Sequence, residues 1–253
     1  MLKRLKNLVT NNFPVSSRKV YHIINIAFYK GEKYYCPICE KGFRRFLPGP
    51  DNIKENSKCP GCSSLERHRL LWLYLQEKLN ISNSRIKLLN IAPDYVTQNK
   101  LKKLANIDYL SVDLDSPLAM QKVDLTRIPF EDNLFDAIIC YHVLEHIEDD
   151  VKAMSELFRI LKPGGWAILQ TPLDGEREKT FEDFNITSPL ERKKIFGQED
   201  HVRIYGKDYF ARLKKAGFDV TEESFIEEFS HSEIEKFVLD KDEKIFFCTK
   251  PAN

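Results

Sequence analysis

Val123-Asp-Leu-Thr-Arg-Ile-Pro-Phe-Glu-Asp-Asn-Leu-Phe-Asp-Ala-Ile-Ile-Cys-Tyr-His-Val-Leu-Glu-His-Ile147 is the stretch on which the reading of the chain turns. Its centre, Phe135 to Tyr141, is a short apolar run bounded by polar turn residues, the pattern of a strand buried on both faces. Behind it, Ile147 to Leu161 carries Val151, Met154, Leu157, Phe158 and Leu161 at helical spacing, and Lys162-Pro-Gly-Gly165 predicts the stop. A further apolar run follows from Trp166 to Gln170, and two more precede the stretch, Ile86 to Ile91 and Tyr109 to Leu114. Strand and helix in alternation predict an α/β fold, a doubly wound, mostly parallel sheet covered on both faces. Residues 207–216 predict a short helix closed by Gly217, and the runs Phe218 to Phe225 and Lys244 to Thr249 predict an antiparallel pair at the sheet edge.

Ahead of this α/β pattern stand Cys36-Pro-Ile-Cys39 and Cys59-Pro-Gly-Cys62, with nineteen residues between the pairs. The spacing is that of a structural zinc site: four thiolates close a tetrahedron around Zn²⁺ and leave no position for water or substrate. Proline sets each turn, and Gly42 and Gly61 allow tight backbone near a sulfur, whereas Ser63 and Ser64 follow the second pair. The competing reading is disulfide pairing. Cysteines so close in sequence rarely bridge each other, and a start without a secretory core points to a reducing, cytoplasmic setting. Cys140 and Cys248 fall in apolar runs and are expected to be small core residues.

The chain has 253 residues, 42% hydrophobic and 30% charged, enough for one full core and one accessory module. No stretch approaches a membrane-spanning length. Net charge is +1, but residues 1–67 hold 13 Lys and Arg against 5 Asp and Glu, leaving 26 against 33 behind them. That asymmetry suits either an anionic partner for the front or a solvated face. Leu2, Leu5, Leu8 and Val9 recur at helical spacing before Pro14, Val20 to Tyr29 resumes as a helix, and Leu65 through Leu79 predicts a largely buried one. Phe43-Arg-Arg-Phe46 mixes rings and charge, a combination that keeps RNA open as a partner.

In an open parallel sheet ligands bind beyond the carboxyl ends of the strands, near the switch point of the strand order. The residues there are Asn90-Ile-Ala-Pro-Asp94, Asp113-Leu-Asp115, Asp124-Leu125 and Cys140-Tyr-His-Val-Leu-Glu-His146. With Leu161-Lys-Pro-Gly-Gly-Trp-Ala-Ile-Leu-Gln-Thr-Pro172, this series resembles the class I S-adenosylmethionine-dependent methyltransferases, in their small-molecule and lipid-quinone branch, over about residues 85–225. The resemblance implies a Rossmann-like methyltransferase domain over 68–253, behind a helical segment at 1–30 and a zinc-binding module at 31–67. It implies that Asp113 takes the ribose hydroxyls, Leu114 packs on adenine, Asp124 takes the adenine amino group, and Leu125 offers a backbone amide. Tyr141 falls on the same cofactor edge.

One departure is plain: the family's glycine-rich first loop is Asn90-Ile-Ala-Pro-Asp94, without a glycine. Ala92 and Pro93 then predict a differently shaped turn, and Asp94 becomes a partner for the cofactor's ammonium group. Methyl transfer from a sulfonium needs alignment and dryness, and a base only where the acceptor must lose a proton early. His142 and His146 are candidates for that base, and His146 can instead cap or pack. His201, Arg203 and Tyr205 alternate and in extended form point one way, which suits a lid hinged at Gly197 and Gly206 or a plain exposed strand. Asp174 is a further candidate on the acceptor side or a turn residue. Zinc modules precede this fold in some sugar methyltransferases and in certain ribosomal-RNA guanine methyltransferases. The expectation is therefore a small or glycan acceptor first and nucleic acid second, with a non-catalytic binding protein as the third reading.

Overall fold

The computed structural model describes residues 15–50 and 54–252, and the periodic stretch Leu2 to Val9 lies outside them. The chain divides into two compact units, Met1–Asn80 with Phe225–Glu243, and Ile81–Ser224 with Lys244–Asn253. A break after residue 67 would fall inside a helix, and the chain re-enters the first unit after Ser224.

In the first unit, helix α1 (Val15–Tyr29) runs into strand β1 (Lys30–Cys36), which pairs antiparallel with β2 (Lys41–Phe43). The two cysteine turns repeat one geometry: Glu40 N donates to Cys36 O and Ser63 N to Cys59 O, both at 2.8 Å. The residue after each second cysteine is left-handed, Glu40 at φ 57° and Ser63 at φ 66°. Neither is glycine, and each conformation costs about 1–2 kcal/mol that the surrounding turn must offset. Gly61 is needed for closeness instead, since a Cβ there would lie 2.8 Å from Phe43 Cζ and 3.1 Å from Cys39 Sγ. Helix α2 (Glu66–Glu77) buries Leu70 through Leu75, as a run apolar on most sides without Gly or Pro should. Arg69 in the same helix is fully buried, and the segment that returns after Ser224 forms a short helix, His231–Phe237, at its guanidinium.

The second unit begins with β3 (Ile86–Ile91), α3 (Tyr95–Leu101), β4 (Ile107–Asp113) and the short β5 (Gln121–Lys122). It continues through β6 (Phe135–Tyr141), a 3₁₀ turn at Leu144–His146, α4 (Asp150–Ile160) and β7 (Leu161–Gln170). Then come β8 (Phe181–Glu182), α5 (Pro189–Phe196), β9 (Arg203–Ile204), α6 (Tyr209–Lys215), β10 (Asp219–Glu223) and β11 (Ile245–Thr249). Seven strands form one sheet in the order β10-β11-β7-β6-β3-β4-β5. Strands β3 to β7 are parallel, and β11 lies antiparallel between β7 and β10. Leu89, Ile91, Ile138, Leu157, Leu169 and Phe246 belong to its core, with Cys140 and Cys248 fully buried among them.

Two local boundaries differ from the sequence pattern. The helix expected from Ile147 starts at Asp150, because the 3₁₀ turn intervenes and Asp149 caps the helix by accepting from Lys152 N at 3.0 Å. Lys162-Pro-Gly-Gly165 does not lie beyond the helix as a loop but opens β7, where Gly164 N donates to Lys250 O at 2.8 Å and Lys250 N to Gly165 O at 3.0 Å.

Candidate active site

Register sets the site. Ile91 stands opposite both Val112 and Cys140, so the residues that follow, Ala92, Asp113 and Tyr141, reach the carboxyl edge of the sheet level with one another. The strand order reverses between β3 and β6, which makes this edge the switch point. Ala92 holds φ 48° and donates its N–H to Val112 O at 2.8 Å. Alanine there holds the left-handed conformation that glycine adopts most readily. Pro93 and Asn90 are buried, and Asn90 Nδ2 donates to Tyr109 Oη at 2.9 Å, which ties β3 to β4. Asp94 caps α3, its Oδ1 accepting from Val96 N and Thr97 N at 2.8 Å. That occupies one oxygen of the group expected to meet an ammonium.

Asp113 Oδ1 accepts from Asp115 N and Ser116 N, both at 2.7 Å, which fixes the plane of the carboxylate at the end of β4. Leu114 beside it is 62% exposed, a large apolar side chain left open at the edge. Asp124 is exposed, and its Oδ1 takes both Thr126 N and Thr126 Oγ1 at 2.8 Å, while the Leu125 side chain is buried and anchors the loop. Helix α4 braces the same loop: Glu156 accepts from Ile128 N at 3.1 Å, and Arg159 donates to Phe130 O at 2.7 Å and Ile128 O at 2.9 Å. The Arg159 hydrogen bond holds the Glu156 carboxyl down at about 2, well below the usual carboxylate range.

The three histidines lie around one buried carboxylate that the sequence reading did not single out. His142 is left-handed at φ 57°, donates its backbone N–H to Gln170 O at 2.8 Å, and brings Nδ1 to 3.4 Å from Glu145 Oε1. Glu145 is buried, and Thr171 Oγ1 donates to its Oε2 at 3.0 Å. Burial alone would raise this carboxyl, but the imidazole of His142 outweighs it and holds the group below its ordinary value. The His146 and His201 rings meet edge-on with centroids 4.7 Å apart. Burial first, and then His146, depress the pKa of His201. The available signal for Glu145 was its place between His142 and His146 in the quoted stretch.

The alternation of His201, Arg203 and Tyr205 does point one way, but inward, and all three are buried. Arg203 donates to Leu144 O at 3.0 Å, Glu148 O at 2.8 Å and Ile147 O, and pairs with Glu182 at 2.9 Å. Tyr205 Oη donates to Asp150 Oδ2 at 2.6 Å. These side chains clamp the segment behind β6 instead of forming a lid. Gly206 is needed for closeness, since a Cβ there would lie 2.6 Å from Arg177 O. Asp174 Oδ1 accepts from Glu176 N at 3.1 Å, the turn alternative for that residue.

In the first unit, Cys36 and Cys62 sulfurs lie 3.6 Å apart and those of Cys39 and Cys59 3.7 Å apart, and all four fall within 4.8 Å of one another. None is in a disulfide. A metal–sulfur tetrahedron with bonds of about 2.3 Å has edges of about 3.8 Å, so the donor set fits a tetrahedral ion. Cys36 beside it pushes the Cys39 thiol up, and burial pushes Cys59 up, so a cation is what would let all four ionise together. The Phe43-Arg-Arg-Phe46 rings are not free for stacking. Phe43 and Phe46 are buried edge to face with centroids 5.8 Å apart, while exposed Arg44 and Arg45 lie over Phe28 and Tyr29.

The family model "Methyltransferase domain" matches residues 74–169. A demethylmenaquinone methyltransferase of Streptomyces avermitilis is 41% identical over 46 residues, 18% of this chain and 20% of that protein. A ubiquinone/menaquinone biosynthesis C-methyltransferase of Brucella canis is 29% identical over 118 residues, 40% of this chain and 43% of that protein. The structure of the YcgJ protein from Bacillus subtilis covers 72% of this chain and 94% of its own, at 17% identity and a TM-score of 0.47. The chain spans less than half the length of the curated relatives it matches. The fold is that of the class I S-adenosylmethionine-dependent methyltransferases, with homology to the quinone methyltransferases and a four-cysteine cluster able to hold a metal. Among the described residues no helix is long and apolar enough to cross a membrane.

Proposed function

We propose that this chain transfers a methyl group from S-adenosylmethionine to a small or carbohydrate-like acceptor, and that its four cysteines hold a structural zinc ion. The observation that carries the enzyme reading is the level edge at the switch point: left-handed Ala92, the oriented carboxylate of Asp113 and exposed Leu114. Asp113 keeps an oxygen to accept from ribose hydroxyls, Leu114 offers an apolar face to adenine, and Asp124 with Leu125 suits the ring edge. Ala92 brings backbone close where the methionine end would lie. When bound, the cofactor supplies a methyl group already activated by the positive sulfur, so the protein's part is to align the acceptor and keep water out. His142, directly after β6, is the candidate for holding or accepting a proton there.

Zinc is supported by the sulfur separations and by Arg69. This buried cation makes five hydrogen bonds, to the carbonyls of Ser57, Ser64, Phe237 and Val238 and to Ser64 Oγ. Ser64 Oγ in turn lies 3.4 Å from Cys36 Sγ and 3.3 Å from Cys62 Sγ. A four-thiolate zinc centre carries two net negative charges, which compensates a guanidinium held among neutral carbonyls. With Phe43 and Phe46 buried, the case for RNA rests on charge alone, and a small acceptor is favoured.

Calorimetric titration with S-adenosylhomocysteine tests the enzyme reading. Saturable binding is expected, weakened at least about tenfold in Asp113→Ala, because two charge-assisted hydrogen bonds are lost. No binding to the folded protein would refute it, and an unchanged affinity in the variant would move the ribose site elsewhere.

A further inference from the structure

We propose that Glu145, His146 and His201 form a second metal site, open on one side, that takes a divalent transition cation and presents it to an acceptor oxygen. The part concerning the acceptor rests on the methyltransferase reading above, whereas the metal site itself does not. Each of the three residues brings one donor atom within 4.8 Å of the other two. Two imidazoles and one carboxylate suit zinc, iron, manganese or cobalt, and three protein donors leave positions free, unlike the closed cysteine site.

The groups around the three residues are arranged as outer partners of metal ligands. His146 Nδ1 lies 3.3 Å from Asp200 O and 3.4 Å from Asp200 Oδ2, and His201 Nδ1 lies 3.2 Å from Phe196 O. A proton on each Nδ1, donated to those acceptors, leaves each Nε2 with a lone pair, the tautomer a metal requires. Glu145 Oε2 is taken by Thr171, while Oε1, in a side chain only 2% exposed, makes no hydrogen bond. His142 Nδ1 approaches Oε1 at 3.4 Å without hydrogen-bond geometry, and His142 Nε2 is buried without a partner as well. A buried carboxylate oxygen with an ion-pair neighbour at 3.4 Å but no hydrogen bond is incompletely compensated, and a cation in the cluster would complete the compensation.

The backbone holds the three in place. Val202 N donates to Glu145 O at 3.0 Å, which fixes the His201 strand against the 3₁₀ turn, and Arg203 clamps the carbonyls of Leu144, Ile147 and Glu148. The cluster lies just past β6, with Thr171 directly after β7, on the same carboxyl edge as Ala92 and Asp113. An acceptor hydroxyl bound to the ion would lose its proton more readily. Its O–H bond breaks, the proton passes to water, and the oxygen keeps the electron pair for the methyl group. The acceptor class this favours is an alcohol, diol or phenol.

The test is cobalt uptake by the full chain as purified, after its metal content is measured. Zinc present plus Co²⁺ bound should come to one ion more than the cysteine site accounts for, and that ion's spectrum should lack sulfur-to-metal charge transfer. Glu145→Gln and, separately, His146→Gln should each weaken the extra ion at least about tenfold while the fold and S-adenosylhomocysteine binding persist. No extra ion in the wild-type protein, or an extra ion indifferent to both substitutions, overturns the site. Cobalt bound at these residues without any S-adenosylhomocysteine binding would leave the metal site standing and remove the methyltransferase reading. S-adenosylhomocysteine binding without the extra ion would do the reverse.

Discussion

Ala92 occupies the position where this fold ordinarily needs glycine, and it does so at φ 48°. A non-glycine residue there bears a penalty of about 1–2 kcal/mol, partly offset because alanine has less freedom to lose from the unfolded chain. Ala92→Gly is therefore expected to change stability little or raise it by up to about 1 kcal/mol, read from urea unfolding. Ala92→Val should lose more than that, and a tolerated valine would mean that the turn does not need its left-handed residue. Asp94 and Asp113 teach a related point, because each uses one oxygen to organise its own loop. The capping alternative and the ligand-binding alternative are thus not exclusive: a carboxylate fixed by two backbone donors still has an oxygen with which to accept others.

Helix α4 acts as a brace of the carboxyl edge through Glu156 and Arg159, which hold the loop behind Leu125. Glu156 has its folded pKa lowered to about 2, against about 4.3 for an ordinary glutamate. Its stabilising contribution is fully present above the unfolded value and is lost as pH falls through the folded one. The gap in unfolding midpoint between the wild-type protein and Glu156→Gln should be widest above about pH 5 and should close toward pH 2. A gap independent of pH would show that packing, not the charge, is what Glu156 supplies. The strand β9 has a comparable role behind β6, where Arg203 and His201 were expected to face out. Alternation correctly put their side chains on one face, but alternation carries no information about which face another segment covers.

The two tryptophans report the two compact units separately, Trp72 in the first and Trp166 in the second. A structural zinc ion on four cysteines contributes of the order of 10–16 kcal/mol in small metal-dependent modules, as much as the whole stability of a typical domain, so on the proposed zinc reading the first unit should not survive chelation. In a Trp166→Phe variant, complete chelation should shift Trp72 emission to the red, because Trp72 is buried in α2 of the unit that holds the cysteine turns. Cys59→Ser should do the same. Unchanged emission from a metal-free protein would rule out a structural ion.

Periodicity made the strands, the helices and the parallel sheet legible, since buried strands and amphipathic helices write their burial into every second or every third to fourth residue. Cysteine spacing did the same for the metal cluster, because two short turns are a local matter. Elements joined by long-range contact were not legible. The return of Phe225–Glu243 to the first unit depends on Arg69 finding the carbonyls of Phe237 and Val238, 168 and 169 residues away. The union of Glu145, His146 and His201 depends on Val202 pairing with the backbone of Glu145 across a separation that no local pattern encodes. Side-chain chemistry is written residue by residue, whereas the cavity in which a carboxylate loses its water and acquires two imidazole neighbours exists only once the chain has closed around it.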